Sequence, residues 1–263
     1  MLLDFFARTH TPYLHARGSQ GTRVLLNELH PLPGQRILEI GFGAGQTLVD
    51  MACRFPGTEL YGLEKSALML KMARQRLRFC GLSGIRLQLY EYTLPFADDF
   101  FDAVCCESVL AIVPDNALPD IFSEIYRVLK PGGRFCCNES LWLKTTTPET
   151  IRAINQKCLE TFGIVQASAK YPLPEDWGAL GASVGFHLQK IQSLENIPEH
   201  NGWFLTRKQI LSWIFSRLGW LKARLHPRLN KDRQAWKKNE QSFGGFGRFL
   251  EGYLMVFHKP PLL

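Results

Sequence analysis

Three glycines and two carboxylates near residue 40 form a pattern that can hold a small charged ligand. Gly41, Gly43 and Gly45 occupy alternate positions in the stretch RILEIGFGAGQTL, residues 36–48. Glycines in a turn let the backbone approach a ligand without a side chain between them. Gln46 stands where a dinucleotide-binding G-x-G-x-x-G turn needs its third glycine, so that match fails. A phosphate-binding P-loop fails as well, because no Gly-Lys-Ser/Thr follows.

The two carboxylates indicate which ligand the turn holds. Glu39 lies two residues before the turn, where a carboxylate suits a cationic ligand better than a pyrophosphate. Glu64 ends the next apolar run, where an acid accepts hydrogen bonds from both hydroxyls of a ribose. A ligand with a ribose and a net positive charge is S-adenosylmethionine. The residues therefore predict a site for this cationic nucleoside.

The segments that must position these residues alternate between strand and helix. We predict strands at residues 36–40, 58–64, 85–90, 102–109 and 134–142, with helices at 44–55, 66–81 and 118–129 between them. Such alternation implies right-handed crossovers and a parallel sheet covered on both faces. Beyond these segments we predict helices at 147–161 and 206–225, a loop at 171–185, strands at 186–197 and 252–257, and a basic linker after residue 225.

Between residues 33 and 138 the chain resembles the class I S-adenosylmethionine-dependent methyltransferases, in their small-molecule, methyltransferase type 11-like branch. The resemblance lies in LEIGFGAG, YGLEKS, LPFADDFFDAV and EIYRVLKPGGRF, in this order and spacing. It implies an α/β fold, a Rossmann-like seven-stranded sheet with an antiparallel last strand and helical lid inserts. It also implies one methyltransferase domain, 1–263, made of a cofactor-covering segment (1–32), a cofactor-binding core (33–143), lid inserts (144–185 and 195–251) and the last strands (186–194 and 252–258).

The resemblance also assigns a set of cofactor contacts. They are Glu39, Gly41, Phe42, Gly43, Gly45, Glu64, Lys65, Glu91, Tyr92, Glu107 and Ser108. The family carries an acid for the adenine before the LPF sequence, and the loop of this chain is one residue shorter there. Glu91 and the backbone of Tyr92 therefore both remain candidates for that contact.

The end of the fourth strand faces the transferred methyl group in this family, and the chain departs from the family there. Ala111 and Ile112 replace a histidine pair that many members carry, so the usual base is absent. Our catalytic candidates are Glu107, His15 and His10, because an N-terminal segment of this kind folds over the cofactor in related enzymes. The candidate substrate contacts are Tyr13, Glu139, His200 and Trp203. For each of them a packing or surface role is the alternative.

The long insert at residues 195–251 indicates the kind of acceptor. It contains Trp203, Trp213, Trp220 and Trp236 together with several phenylalanines. An aromatic lid favours a small apolar or aromatic acceptor, methylated at oxygen or carbon rather than nitrogen. A helical cap that packs its own core would contain the same residues.

The charge of the chain leaves other partners open. The formal net charge is +7, and the excess is concentrated in the stretch 222–238. Such a stretch forms a solvated face, a peripheral membrane contact through residues 206–238, or a nucleic-acid surface. A tRNA or other nucleic-acid methyltransferase is thus one alternative, although ESVL replaces the Asn/Asp-Pro-Pro-aromatic motif of amino-methylating DNA enzymes. A non-catalytic S-adenosylmethionine-binding partner protein is another, and Gln46 argues against a nicotinamide oxidoreductase. The oligomeric state stays open.

The seven cysteines indicate a reduced protein. Cys105-Cys106 and Cys136-Cys137 are adjacent pairs inside apolar runs, which suits burial rather than disulfides. The chain has no C-x-x-C pair, so we expect no metal site. The N-terminus has no basic start before an apolar stretch, and no segment is apolar enough to span a membrane. We therefore expect a cytoplasmic protein.

Overall fold

One sheet forms the centre of the molecule. The computed structural model describes residues 2–91, 93–195, 197, 206–243 and 246–261. The strands are β1 (Arg36–Ile40), β2 (Glu59–Glu64), β3 (Arg86–Leu89), β4 (Phe101–Glu107), β5 (Leu129–Trp142), β6 (His187–Ser193) and β7 (Leu250–His258). Their order is β3-β2-β1-β4-β5-β7-β6, and β7 runs antiparallel to both of its neighbours. The structure thus confirms the predicted seven-stranded sheet with an antiparallel last strand.

Helices cover both faces of this sheet. They are α1 (Leu2–Arg8), α2 (Gly18–Leu29), α3 (Gln46–Arg54), α4 (Ala67–Phe79), α5 (Leu118–Val128), α6 (Pro148–Phe162), α7 (Pro174–Ser183), α8 (Arg207–Leu225) and α9 (Pro227–Phe243). Local sequence sets several of their starts. The hydroxyl of Ser66 accepts a hydrogen bond from the Met69 N–H at the start of α4, and Thr206 accepts one from the Gln209 N–H at the start of α8.

Two apolar cores lie on opposite faces of the sheet. One contains Phe122, Phe135 and Trp177, beneath α5 and α7. The other contains Leu25 of α2 and Leu48 of α3. Both adjacent cysteine pairs are buried in β4 and β5 with free thiols, as their alternating positions predict. Among the described helices, none is both long and apolar enough to cross a membrane.

Two predicted segments are wrong. Residues 171–185 are not a loop, because α7 begins at Pro174 and the Asp176 carboxylate accepts a hydrogen bond from the Leu173 N–H. Residues 227–243 are not a linker but α9, which again begins at a proline. In addition, β5 begins at Leu129, five residues before the predicted start, with an irregularity in its pairing to β4 before Arg134.

The sheet brings several strand ends together at one edge. The strand order reverses between β1 and β4, which pair in parallel so that Ile40 lies opposite Cys106. Glu107 at the end of β4 lies opposite Asn138 of β5. In open α/β sheets, ligands bind beyond the carboxyl ends of the strands at such a reversal point. The candidate site is therefore built from the residues that end β1, β2, β4 and β5.

Candidate functional site

The glycine turn after β1 and the loop after β2 are held together by the Glu64 carboxylate. Its Oε2 accepts a hydrogen bond from the Gly43 N–H at 2.9 Å. Its Oε1 accepts bonds from the backbone N–H groups of Lys65 and Ser66, at 2.8 and 3.0 Å. Since a carboxylate offers about four lone-pair sites, Oε2 can accept one further bond. Glu64 therefore anchors both loops and retains an acceptor for a ligand hydroxyl.

The turn needs its glycines for two different reasons. At Gly41 (φ +73°) an added Cβ would lie 2.3 Å from a methyl carbon of Val109, so a side chain there would collide with the loop after β4. At Gly43 (φ +52°) no described atom lies within 4 Å of that position. The space in front of Gly43 is thus open while its N–H is fixed by Glu64, as a turn that approaches a ligand requires.

Glu39 is a buried carboxylate that lacks compensation. It is 3% exposed, and within the described part of the chain its Oε2 meets no hydrogen-bond donor. Burial, followed by the charges of Glu107, Glu64 and Asp50, raises its pKa well above the usual value. Keeping a buried carboxylate ionised beside other carboxylates costs free energy unless a cation pairs with it. These residues fit S-adenosylmethionine, whose sulfonium and ammonium groups carry positive charge.

Glu107 is the centre of a buried hydrogen-bond network at the end of β4. Its carboxylate accepts bonds from the Thr22 hydroxyl (3.0 and 3.1 Å), the Thr47 hydroxyl (3.0 Å) and Nδ2 of Asn138 (3.2 Å). Nδ1 of His15 lies 3.4 Å from its Oε2. These partners come from α2, α3, β5 and the segment between α1 and α2. The network therefore fastens the N-terminal segment to the sheet at the candidate site.

His15 is placed so that both ring nitrogens face oxygen atoms. Nε2 lies 3.0 Å from the Thr22 hydroxyl, and Nδ1 lies within 3.4 Å of both the Ala16 carbonyl and the Glu107 carboxylate. Its side chain is only 7% exposed. Because Thr22 donates its proton to Glu107, its oxygen is left to accept from Nε2. Nδ1 also lies 3.4 Å from the side-chain nitrogen of Asn138, so the His15 ring is held by the same network as the Glu107 carboxylate.

Tyr13 and His10 occupy different surroundings. The Tyr13 hydroxyl donates a hydrogen bond to the Asp50 carboxylate of α3 at 2.8 Å, and burial raises the pKa of Tyr13. This hydrogen bond holds the N-terminal segment against α3. The His10 ring lies on Phe215 of α8, with a centroid distance of 4.2 Å, and burial lowers its pKa to about 4. The structure thus brings Glu107 and His15 together and places His10 in the contact with α8.

The loop after β4 is shaped by Glu139. Its Oε1 accepts hydrogen bonds from the N–H groups of Val109 and Leu110, and its Oε2 accepts one from Ala111, all at 3.0–3.1 Å. Burial raises the pKa of Glu139 to about 7. Ser108 precedes these residues with a left-handed backbone (φ +51°), which ends β4 and turns Val109 toward Gly41. The structure thus gives Glu139 the role of fixing this loop.

We expect Glu139→Ala to lower the free energy of unfolding by about 2–4 kcal/mol, because it leaves three backbone N–H groups without their acceptor. Urea unfolding followed by circular dichroism measures this change. Glu160→Ala on the exposed side of α6 is the matched control and should stay within about 0.5 kcal/mol of the wild type. Equal stability of the two variants would contradict the role of Glu139.

Several network residues were missed by the sequence analysis, and Arg76 of α4 is the most connected. It is fully buried and donates hydrogen bonds to the carbonyls of Ala44 and His10. It also donates to the side chains of Gln46, Ser212 and Ser216. The glycine turn, the N-terminal segment and α8 therefore meet at one guanidinium. A lone arginine in a helix carries no sequence signal for such a role.

The polar partners of Glu107 and Asp50 were also missed. Thr22, Thr47 and Asn138 bind Glu107, while Gln46 and Gln209 donate to Asp50. One signal was available, since Asn138 directly precedes the candidate residue Glu139 within the predicted fifth strand. Threonines and glutamines inside helices are usually surface residues, so their convergence appears only in the folded chain.

The remaining predicted site residues lie at the edge of the site or elsewhere. Glu91 is exposed in the loop after β3, and Lys65 is exposed after β2. The Phe42 ring is buried in the apolar core under α3, so that only its backbone belongs to the turn. Tyr92, His200 and Trp203 lie outside the described residues.

A cleft of about 730 Å³ extends from α4 to α9. Its apolar lining residues are Phe5, Leu68, Met72, Phe162, Leu229 and Trp236. Charged side chains of both signs share the lining, among them Arg8, Lys71 and Asp232. Because Leu68 lies only four residues after Glu64, the cleft begins beside the loop that Glu64 anchors. The molecule thus has room for a second ligand next to the first, between apolar and charged side chains.

Comparison with known proteins identifies the family of the chain. A family model described as "Methyltransferase domain" matches residues 38–137. The uncharacterized methyltransferase YodH of Bacillus subtilis is 30% identical over 186 residues, 70% of this chain and 73% of that protein. Methyltransferase phqN of Penicillium fellutanum is 30% identical over 77% of this chain and 63% of that protein. Botryococcene C-methyltransferase of Botryococcus braunii is 25% identical over 87% of this chain and 62% of that protein.

The chain spans less than two thirds of the length of the first three curated relatives, at 63, 47 and 62%. A solved structure with the same fold is phosphoethanolamine N-methyltransferase 2 of Haemonchus contortus in complex with S-adenosyl-L-methionine. It is 17% identical to this chain, with a TM-score of 0.67, over 99% of this chain and 57% of that one. The fold of this chain is therefore also found in that structure.

Proposed function

The chain belongs to the class I S-adenosylmethionine-dependent methyltransferases, whose cofactor is S-adenosylmethionine, and from this premise we propose that it methylates a small apolar or aromatic molecule. Transfer takes place by in-line displacement, at oxygen or carbon in preference to nitrogen. The cofactor supplies a methyl group that its sulfonium already activates. The protein must align the acceptor, exclude water and, for an oxygen or carbon acceptor, hold the departing proton.

The main support for the proposal is the group of carboxylates that lies beneath the glycine turn. Glu39 has a buried oxygen without a described partner, and Glu64, Asp50 and Glu107 add negative charge around it. A pyrophosphate would increase this repulsion, whereas a sulfonium or ammonium would relieve it. The site thus supports a cationic donor over a dinucleotide.

The raised pKa of Glu39 leads to a pH-dependent affinity. A bound cation favours the ionised carboxylate, so binding should release a proton from Glu39 when it is protonated in the free protein. The affinity for S-adenosylmethionine should therefore rise with pH below the raised pKa of Glu39, by up to about tenfold per unit, and become constant above that pKa. Calorimetric titrations in buffers of different ionisation enthalpy measure the released proton.

Glu39→Gln is the test of this assignment, because it removes the titrating group and keeps the shape. The rise in affinity with pH should disappear in this variant. Glu59→Gln, at the opposite end of the neighbouring β2, should keep the wild-type slope. A slope that persists in Glu39→Gln would assign the proton to another group.

We assign the proton-handling role to His15 and the positioning role to Glu107. The imidazole lies 3.4 Å from the Glu107 carboxylate at the end of β4, the strand whose end faces the methyl group in this family. Ala111, where many relatives carry a histidine, is buried and its N–H is bound to Glu139. A base must then come from another segment, and the N-terminal segment supplies His15.

The acceptor should occupy the cleft between α4 and α9. Its aromatic and aliphatic side chains, which lie among charged ones, would contact an apolar or aromatic molecule, and its volume of about 730 Å³ suits a small one. Trp220 and Trp236 pack against Phe5 of α1, with centroid distances of 5.8 and 6.4 Å, and close one side of it. The name of the Botryococcus relative, a C-methyltransferase, supports carbon among the acceptor atoms.

Methyl transfer to fractionated cell extract tests the proposal. Protein and methyl-labelled S-adenosylmethionine are incubated with an organic-solvent extract, a polar metabolite fraction or total nucleic acid. We expect labelled product in the organic extract. Label confined to the polar or nucleic-acid fraction would contradict the proposed acceptor class, and the latter result would support the alternative of a tRNA or other nucleic-acid methyltransferase. Cofactor binding without labelled product in any fraction would favour a non-catalytic S-adenosylmethionine-binding protein.

The proposal also covers the binding partners of the protein, its location in the cell and the roles of its chain segments. The acceptor is a small molecule rather than nucleic acid, and residues 206–238 contact a membrane surface peripherally. The free cysteines support a reducing compartment, the cytoplasm. Residues 1–32 form the segment that covers the cofactor, 33–143 the core that binds it, and the inserts 144–185 and 195–251 the lid over the acceptor.

A further inference from the structure

Helix α8 packs against the rest of the molecule through its small and polar side chains. Its buried residues are Gln209, Ser212, Ser216, Gly219 and Ala223. Two of them, Ser212 and Ser216, accept hydrogen bonds from Arg76. At Gly219 an added Cβ would lie 2.3 Å from the Thr9 carbonyl oxygen, so the N-terminal segment lies directly on the helix. These polar contacts and this close approach hold α8 in place, together with the partly buried rings of Phe215 and Trp220, which pack on His10 and Phe5.

Five other large apolar side chains of α8 are exposed. We call them the outer ridge, and they are Ile210 (45% exposed), Trp213 (55%), Leu218 (50%), Leu221 (52%) and Leu225 (74%). A surface helix normally buries its apolar stripe and exposes its polar one. Scattered exposed leucines are ordinary, but a continuous apolar ridge on one helix indicates a surface that binds a membrane or another molecule.

Positive charge surrounds the outer ridge. Arg217 and Arg224, seven residues apart, follow one flank, and the Arg217 guanidinium lies 4.7 Å above the Trp213 ring. On the other flank Lys222 lines a groove of about 460 Å³ with Leu218, Leu221 and Leu225. Residues 206–238 contain ten lysines and arginines and one acidic residue, Asp232. The ridge therefore lies in the most basic part of the chain.

We propose that the outer ridge docks on an anionic lipid bilayer, with its leucines in the acyl boundary and its basic flanks among the headgroups. Tryptophan and arginine next to an apolar stripe are typical of helices that lie in a membrane interface. A second copy of the chain is disfavoured as the occupant, because pairing two ridges would bring two basic segments together. This inference rests on the proposed membrane contact and is independent of the methyl-transfer reaction.

The experiment is vesicle flotation with the full chain and no methyl donor. Vesicles of phosphatidylcholine are compared with vesicles of phosphatidylcholine and phosphatidylglycerol, and methyl transfer is assayed separately. The wild type should bind the anionic vesicles and lose binding as salt is raised. The double variant Leu218→Glu/Leu221→Glu should bind at least about tenfold more weakly. Arg224→Gln should bind about fivefold more weakly.

Leu32→Glu is the matched control, because Leu32 is 66% exposed in the loop before β1, away from α8. It should bind vesicles like the wild type. Circular dichroism and the affinity for S-adenosylhomocysteine should be unchanged in every variant, since none of these side chains is buried.

Three results would overturn the inference. The wild type could fail to bind anionic vesicles, or the double variant could bind them as well as the wild type does. Alternatively, the double variant could convert a dimer to a monomer in analytical ultracentrifugation without changing vesicle binding, which would assign the ridge to a second copy of the chain. None of these results bears on the proposed methyl transfer, which the labelled assay decides.

Discussion

Glu64→Ala should weaken the binding of S-adenosylmethionine by about 100-fold. The substitution removes an acceptor that we assign to the ribose, a charge-assisted bond of about 1.5–3 kcal/mol. It also removes the acceptor of the Gly43, Lys65 and Ser66 N–H groups, so that the turn after β1 and the loop after β2 lose their common anchor. Calorimetric titration of the purified variant measures the loss. Because Glu64 is only partly buried, the fold should persist.

Glu59→Ala provides the matched control for this prediction. Glu59 begins the same strand that Glu64 ends, and its carboxylate bonds to Arg86 at the surface. Its removal should leave the cofactor affinity within about twofold, since surface ion pairs contribute little. Near-normal affinity of Glu64→Ala would refute the ribose role, whereas an equal loss in both variants would indicate a general defect in folding.

Glu107→Gln should lower kcat for methyl transfer by about 100-fold or more. Glu107 accepts hydrogen bonds from Thr22, Thr47 and Asn138, and its charge faces His15. The amide keeps the shape but removes the negative charge beside His15. Its NH₂ group would also face the Thr22 and Thr47 hydroxyls and the Asn138 amide, which donate hydrogen bonds to the carboxylate. General acid–base catalysis contributes about 10²–10⁴-fold, which sets the scale of the loss. Steady-state assays with labelled donor measure it.

A second variant in the same network tests the assigned roles. His15→Asn should lower kcat to a similar extent, because it removes the ring to which we assign the proton-handling role. Glu28→Gln, the same change at a carboxylate of α2 that pairs with Lys190, should leave kcat within about twofold. An unchanged kcat in both Glu107→Gln and His15→Asn would contradict the assigned roles.

The donor half of the site could be predicted because its signals are local. The glycine turn, Glu39 and Glu64 stand at strand ends that apolar runs mark in the sequence, and parallel strands carry such ends to one edge. The structure accordingly unites the Gly43 N–H with the Glu64 carboxylate. The network around Glu107 could not be predicted, because Thr22 and Thr47 lie in two helices that meet only after folding.

Helix α7 shows why local signals also misled. Gly178, Gly181 and Gly185 in the stretch 171–185 indicate a loop when glycine is considered as a helix breaker. In the structure, a Cβ at Gly178 would lie 2.9 Å from Leu188, and one at Gly181 would lie 2.6 Å from Phe257. These two glycines let the helix approach β6 and β7 closely. Glycine is required at these two positions by tertiary packing, which cannot be read from the sequence alone.

For α8 the sequence predicted the stripe but not its direction. The spacing of Leu211, Ile214, Leu218 and Leu225 indicates an amphipathic helix, and a cap with its own core would bury that stripe. Instead Arg76 binds the serines on the opposite side, and the Asp50 carboxylate accepts from Gln209. Buried charged groups that need partners thus determine which face of α8 is covered.

Titration of the wild-type protein with S-adenosylmethionine and with NADH tests the central claim most directly. The claim is that the carboxylates at the ends of β1 and β2 form a site for a cationic nucleoside rather than for a dinucleotide. We predict saturable one-to-one binding of S-adenosylmethionine, with an affinity that rises with pH below the raised pKa of Glu39, and no saturable binding of NADH. Tighter binding of NADH than of S-adenosylmethionine would contradict the claim.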